Sequence, residues 1–543
     1  MNVHNLSRYF FVIVLGALLF LPFLGHVHLF DWDEINFAEC AREMIVSHDY
    51  LKVQIDFKPF WEKPPLFIWM QVLSMKLWGV SEYAARFPNT VMGIVTLLTL
   101  YYVGKKVISE RMAMWWVVLY VATWLPHFYF KSGIIDPTFN LFIFLAFFQM
   151  YLLRHGNDKF KHSLLAGLFL GLAVLTKGPV AILISLLSFI VYVILNKGLW
   201  GYPLKYFIVL IIAAAAPFGL WFLACIIQYG WSYGSWFIQE FITYQIRLFS
   251  TGDADHGEPF YYHFVVLLIG CFPASVFLFQ YGRKRTTDNE PARDFTKWMW
   301  ILFWVTLLLF SIVKTKIVHY SSLCYFPLTY LAALKIYNIA GHQEKLKILP
   351  KILLIGIGSL LSLLIAALPI VGIHKAKLIP YIKDPFAVAN LGAQVSWSYL
   401  ESFWGILYFI CIIAAVFLMR KKVVAAFLVL MISGILLIQI TVLHFTPKIE
   451  AYSQRAAIRY FKSFEGKDVY VAVLGYKSYG QLYYAKKQPP ANPDSYNEKW
   501  LLYGKVDKPT YFICKITSAE QYRAMSQLKE IGSKNGFVFF KRR

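Results

Sequence analysis

The hydrophobic positions of this chain fall into long, nearly uncharged runs separated by short polar breaks. Thirteen runs can be marked, at 9–30, 88–104, 112–130, 137–153, 163–176, 179–196, 206–227, 261–281, 297–313, 318–338, 351–373, 402–419 and 423–444. Most are close to the ~20 residues that a ~30 Å hydrocarbon core requires. No water reaches backbone groups at that depth, so each run is expected to close its own hydrogen bonds as a helix. The first run follows Arg8 and no small-residue cleavage site comes after it, so it reads as a retained span and not a signal peptide. In the first long break, Glu34 to Val46 carries apolar residues at Phe37, Ala38, Ala41, Met44 and Ile45, a spacing that predicts an amphipathic helix lying in the interface.

After residue 444 the pattern changes. Val469–Leu474, Thr510–Ile516 and Val538–Phe540 read as buried strands, and Ile449–Phe464 as a helix. The expected organisation is a transmembrane part, 1–445, followed by a small soluble α/β domain, 446–543. The fold class is therefore a polytopic α-helical membrane protein with about thirteen transmembrane helices and a C-terminal α/β domain.

Composition agrees. Of 543 residues, 58% are hydrophobic and only 15% are charged, against about 25% charged in soluble domains. The net charge of +23 would suggest a nucleic-acid partner on a soluble protein. Here the basic residues sit in short loops. Lys105, Lys106 and Arg111 follow the second run, Arg154, Lys159 and Lys161 the fourth, Lys197 and Lys205 the sixth. Arg283, Lys284, Arg285, Arg293 and Lys297 follow the eighth, Lys345, Lys347 and Lys351 the tenth, Arg420, Lys421 and Lys422 the twelfth. Every even-numbered exit is basic, so those loops are expected in the cytoplasm with anionic lipid headgroups as partners, and no nucleic acid. The odd exits, and everything after residue 444, then face the other compartment. The six cysteines show no CxxC spacing and no zinc pattern.

The candidate chemistry gathers on that outer side. Asp31-Trp32-Asp33-Glu34 opens the first outer loop; it reads either as a helix start with acids in the first turn or as a source of a catalytic base. Glu62-Lys63-Pro64-Pro65 places a cation on a stiff backbone. Asp136-Pro137 stands at the head of a span, where it either caps the helix or serves a site. Lys177 ends another span. Arg247 and His256 lie in the long break at 228–260, and Lys316 and Tyr320 lead into the tenth run. Each has a local structural reading as a cap, turn or snorkelling side chain. Their shared side points to a phosphate ester with a proton to remove. No GxxxxGK[ST] and no helix-opening GxGxxG is present, so no nucleotide cofactor is expected.

These residues resemble the GT-C glycosyltransferases, in particular the bacterial branch of aminoarabinose (lipid A) transferases and protein O-mannosyltransferase-like enzymes. The resemblance is carried by Asp33-Glu34 with Ala38 to Met44, by Glu62-Lys63-Pro64, Asp136 and Leu175-Thr176-Lys177-Gly178, and by His256 with Pro259 to Tyr262 and Lys316 with Tyr320 and Pro327, all collinear over roughly 9–340. It implies a polyprenyl-phosphate sugar donor, a lipid, protein or glycan acceptor, and transfer with inversion at the outer face of the inner (plasma) membrane. It implies that Asp33 and Glu34 are catalytic, that Lys63, Arg247, Lys316, Lys177 and Tyr320 bind the donor phosphate, and that Glu62, Asp136 and His256 hold a divalent metal. Asn36 and Phe37 depart from the basic and hydroxylated aromatic residues that follow the acid pair in aminoarabinose transferases, so the resemblance does not name the sugar or the acceptor. A transporter or flippase of lipid-linked glycans is the alternative. It would place charges at the midplane, commonly in two repeats, whereas these lie at loop ends and no repeat is visible.

Overall fold

The computed structural model describes residues 3–199, 201–250, 258–280, 289–342 and 344–543. Among them, eight helices are long and apolar enough to cross a membrane: Glu82–Val107, Asp136–His155, Lys159–Lys177, Lys205–Tyr229, Glu290–Ile312, Ile348–Ile373, Tyr399–Leu418 and Val423–Glu450. Leu6–Phe20, Leu66–Trp78 and Val180–Leu195 are shorter apolar helices. Lys159–Lys177 packs between Asp136–His155 and Lys205–Tyr229. Side chains at Gly167 and Gly171 would collide with the carbonyls of Leu210 and Ala214, so both glycines serve close helix approach.

Several expected spans are broken, three of them at prolines. The first helix stops at Phe20, just before Pro22 and Gly25, and does not run to residue 30. The run 112–130 divides into Glu110–Ala122 and Trp124–Tyr129, where Pro126 supplies no N–H to continue the ladder. The run 261–281 divides at Pro273 into Tyr262–Gly270 and a 3₁₀ segment, Ala274–Phe279. The run 318–338 begins as a 3₁₀ segment, Val318–Cys324, and becomes the helix Tyr325–Ala340 afterwards. The last span continues through a π turn, Thr441–Phe445, to Glu450.

The C-terminal region builds one four-stranded sheet from β3 (Tyr470–Leu474), β4 (Thr510–Lys515), β5 (Leu528–Lys534) and β6 (Phe537–Arg542), the first two strands, β1 (Gln54–Ile55) and β2 (Lys58–Pro59), forming a hairpin in the first loop. The order is β3-β4-β6-β5, with β3 parallel to β4 and the other pairs antiparallel. Strand β5 escaped the sequence reading because it is a polar edge strand, mostly exposed, without a hydrophobic alternation. The expected helix Ile449–Phe464 is interrupted at 451–454 by a turn.

The helix Asp33–Ser47 does not present an apolar face for lipid to cover. It is buried nearly all round, including Glu34, Glu39, Arg42 and Glu43. One side packs on Leu66–Trp78, and the other is covered by the C-terminal region. Its buried ionisable side chains are tolerated because each has hydrogen-bond partners. Arg42 donates to both oxygens of Glu39, at 2.7 and 2.6 Å, and to the carbonyl of Lys487 at 2.8 Å. Glu43 accepts from the N–H groups of Asp56 and Phe57, at 2.7 and 2.8 Å. Those two residues are the turn of the β1–β2 hairpin, each at φ 56°. A tight hairpin turn with both central residues at positive φ suits Asn-Gly better than Asp-Phe, and the Glu43 carboxyl fixes it.

Burial, and next the charge of Glu39, hold the Glu43 carboxyl far above the ordinary carboxylate range. Folding therefore takes up a proton at any pH between the free and the raised value, and stability falls as pH rises through that window. Glu43→Gln keeps the outline and removes the titration, but its amide nitrogen cannot accept one of the two backbone N–H bonds, so it lowers stability at every pH while flattening the pH dependence. Its melting temperature in detergent should fall less than wild type's from about pH 6 to about pH 9. Equal slopes would assign the proton to another group.

Candidate active site

The site forms where three loop ends meet. Asp33 is the first residue of its helix, and its cap position, Trp32, makes no side-chain capping bond. Asp31 is not the cap either: it accepts from the Ser478 hydroxyl at 2.8 Å, and burial raises its carboxyl above the usual range. Asp136 likewise begins its helix without capping it, Pro137 supplying the fixed φ of a first turn. Both acids are left to act across space.

His319 joins them. Its Nε2 lies 3.5 Å from Asp33 Oδ2 and 3.9 Å from Asp136 Oδ2. The 3₁₀ segment Val318–Cys324 is docked there by Asn140, which donates to Ser322 Oγ at 2.8 Å, while that hydroxyl donates to the His319 carbonyl at 2.5 Å. Lys177, the last residue of its helix, donates to Asp136 Oδ1 at 2.5 Å. Its ammonium also lies 5.1 Å from the Tyr320 ring centroid and 5.5 Å from that of Phe139. Lys63 is near enough for its charge to act on both Asp136 and His319. Asp136 has 3% of its side chain exposed, and Asp33 30%. One acid is thus sealed against a lysine, and the other is open.

Glu34 has a different place. It is buried, with Arg86 donating to Oε1 at 2.9 Å and to Oε2 at 2.7 Å. It also accepts from the N–H of Phe30 at 2.9 Å and of Gly133 at 2.5 Å. Burial alone would raise its carboxyl; the charge and hydrogen bonds of Arg86 outweigh that and hold it below the usual range. Glu34 has no oxygen free for a substrate. It ties the Asp33 loop to the loop that leads into Asp136, where Asn89 adds bonds to the carbonyls of Ser132 and Ile134 at 2.7 and 2.6 Å.

The other expected residues are more scattered. Lys316 is buried and donates to the Val313 carbonyl at 2.9 Å, with its charge acting on His263. Arg247 lies near the end of Trp231–Ser250, its guanidinium 5.4 Å from the Tyr244 ring centroid. Glu62 acts electrostatically on Cys40 and Tyr479, on the side of the C-terminal region. His256 lies outside the described residues. No group of three His, Cys, Asp or Glu among the described residues is arranged to hold a metal. Of the expected set, Glu62 and Asp136 are described, and the Asp136 oxygens are engaged by Lys177 and His319. His319 and Arg86 were missed as key residues. His319 stood in a basic stretch whose lysines drew the attention, and Arg86 sits inside a long helix with no local mark.

Known proteins share this architecture. Residues 62–221 match the family described as dolichyl-phosphate-mannose-protein mannosyltransferase. The chain is 27% identical, over 419 residues and 74% of each chain, to the undecaprenyl phosphate-alpha-4-amino-4-deoxy-L-arabinose arabinosyl transferase of Edwardsiella ictaluri. It is 28% identical to the like-named protein of Pectobacterium atrosepticum over 421 residues, 72% of each chain. Its fold matches the crystal structure of ArnT from Cupriavidus metallidurans bound to undecaprenyl phosphate, with a TM-score of 0.72 over 98% of each chain at 17% identity. The chain is a membrane glycosyltransferase. The Archaeoglobus fulgidus oligosaccharyltransferase is a more distant fold neighbour of this glycosyltransferase, with a TM-score of 0.52 at 13% identity, over 95% of this chain and 71% of that one.

The two neighbouring acids of the glycosyltransferase separate by experiment. Asp33→Asn should remove transfer while leaving the melting temperature in detergent within a degree or two. Glu34→Gln leaves Arg86 buried without its counter-charge, a change that costs about 3–5 kcal/mol, so it should lower the melting temperature and lose activity with it. A stable, inactive Glu34→Gln would return a catalytic role to that residue.

Proposed function

We propose that the enzyme moves a sugar from a polyprenyl-phosphate donor to a lipid acceptor of the lipid A kind, with inversion, at the outer face of the inner membrane. The acceptor oxygen attacks the anomeric carbon, its proton passes to Asp33, and the bond from that carbon to the phosphate oxygen breaks. The polyprenyl phosphate leaves with the electron pair. Asp33 suits the base: it is open to substrate and held only loosely, by His319 at 3.5 Å, and a base must reach the acceptor proton directly or through one water. The observation that carries the reading is this open carboxylate beside a sealed Asp136–Lys177 pair, with Lys63 close by.

Lys63 and Lys177 are positioned to stabilise charge developing on the leaving phosphate, commonly a large electrostatic term. Tyr320 holds the Lys177 ammonium over its ring. His319 is a positioning residue that sets Asp33 against Asp136. Lys316 and Arg247 belong to the outer shell of the donor site in this reading. A divalent metal on Glu62, Asp136 and His256 finds no support in the placement of Glu62, and the steps above use none. The finer organisation proposed here is the thirteen-span topology with cytoplasmic basic loops and an extracytoplasmic domain at 446–543. It is supported by the basic even-numbered exits and by the contacts of the C-terminal sheet region with the Asp33 loop. The names of the relatives support a polyprenyl-phosphate donor and an aminoarabinose-like sugar.

The test is lipid mass spectrometry on a deletion strain carrying wild type or Asp33→Asn. A polyprenyl-phosphate sugar should build up in the deletion and with Asp33→Asn but not with wild type, and its mass names the sugar. Full complementation by Asp33→Asn would remove Asp33 from the chemistry. With purified enzyme, Lys63→Ala should lower kcat by about 10²-fold, the scale of losing one aimed donor to a developing charge; a change in KM alone would confine Lys63 to ground-state binding.

A further inference from the structure

The other end of the helix bundle carries its own charged cluster. Asp136 begins its helix and Arg154 and His155 end it, about 28 Å away at 1.5 Å per residue. At that far end Asp294 is buried and accepts from Arg154 at 3.1 Å, Tyr192 at 2.7 Å and His155 at 2.9 Å. Glu290 pairs with the same arginine at 3.4 Å. These acids face the neighbouring helices and are neutralised there.

The adjacent face of Glu290–Ile312 is different. Arg293, Lys297, Trp300, Trp304 and Leu308 follow one another at three- and four-residue steps, so they form one stripe along the helix. With Val191 and Leu195 at the end of Val180–Leu195, they line a groove of about 480 Å³. Its two cations stand at the end of the bundle, and its apolar residues run inward. The stripe from Arg293 to Leu308 is about 22 Å long, more than the ~15 Å half-thickness of a hydrocarbon core. Trp304, Leu308 and Leu195 are 44%, 41% and 58% exposed, so the groove opens toward lipid. Lys297 donates to Asn196 Oδ1 at 2.6 Å, which fixes its stem across the gap between the two helices. Arg293 forms no ion pair or side-chain hydrogen bond among the described residues.

We propose that this groove is a binding site for an anionic phospholipid, with its phosphate at Arg293 and Lys297 and one acyl chain against Trp300 and Trp304. The charge gradient selects that occupant. A zwitterionic lipid offers the cations no net charge, and a detergent-like neutral tail would leave them unmatched. Basic pockets between spans are suited to anionic headgroups on the side where basic loops lie. The site is separate from the sugar-transfer site: it lies on the opposite end of the bundle and contains none of the residues placed there.

The experiment is native mass spectrometry of the full-length protein in detergent, titrated with phosphatidylglycerol and with phosphatidylethanolamine of the same acyl chains. Wild type should retain phosphatidylglycerol about tenfold better. Arg293→Gln with Lys297→Gln should bring the two lipids to parity. Val305→Trp adds bulk at another lining position of the groove and leaves both cations in the sequence; it should reduce retention of phosphatidylglycerol as well, and it decides the matter should the double variant fail to fold. Equal retention of both lipids by wild type, or a preference that survives Val305→Trp, would overturn the proposal. So would displacement of phosphatidylglycerol by a polyprenyl phosphate at equal concentration, since the groove would then be a carrier-lipid site.

Discussion

The buried pair of Glu34 and Arg86 is the constraint on which the candidate active site depends. Arg86 donates to the carbonyls of Leu24, Val27 and His28, at 2.7, 2.7 and 3.0 Å, as well as to Glu34. One guanidinium thus gathers the irregular segment after the first helix. Glu34 completes the arrangement by taking the Gly133 N–H, from the loop before Asp136. Such a pair is weak evidence for net stability, because desolvation of both charges offsets much of their attraction. Its value is geometric: five acceptors around one planar donor leave one arrangement for two loops, and that arrangement sets Asp33 beside Asp136.

The C-terminal region acts on the same loop from the other side. Gln454 accepts from the Asp31 N–H at 3.2 Å and donates to the Leu29 carbonyl at 2.7 Å, while the Tyr484 hydroxyl accepts from the Leu29 N–H at 2.8 Å. Lys477 lies 4.5 Å from the Trp32 ring centroid, and Lys487 pairs with Asp56 in the hairpin. The loop before the acid helix has no regular structure of its own, so its backbone groups need partners from elsewhere. They find them in residues more than 420 positions away. This is why a helix with four buried ionisable residues stays folded.

That distance also explains what was legible in the sequence. Long apolar runs announce a helical membrane protein, because period and length are local properties. The acids and lysines at loop ends announce a site on one side, because the basic loops alternate. Lys177, Lys63, Asp33 and Asp136 were all visible in this way. The roles within the group were not. Asp33 and Glu34 are adjacent and chemically similar, and only Arg86, 52 positions on from Glu34, turns one of them inward. His319 was hidden for the same reason: nothing near it in sequence marks the two carboxylates it stands between. The interface helix was misread because its apolar spacing is real, but the cover comes from the distant C-terminal sheet region and not from lipid.

The two ends of the bundle show how satisfaction separates structure from chemistry. Asp294 and Asp136 are both nearly sealed, and each has a cation within hydrogen-bond reach. Asp294 adds a tyrosine hydroxyl and an imidazole at full hydrogen-bond distance, so the cluster is complete and has nothing to offer a substrate. Asp33 stands at the opposite extreme. Its contact with His319, at 3.5 Å, is longer than a normal hydrogen bond, and among the described residues no lysine or arginine pairs with it. A carboxylate left this short of partners at the edge of a fold is costly unless water or substrate completes it. Among the described residues the fold supplies partners to Glu34, Asp136 and Asp294 and leaves Asp33 the least satisfied of the four, and the proposed role of Asp33 as the base rests on that difference.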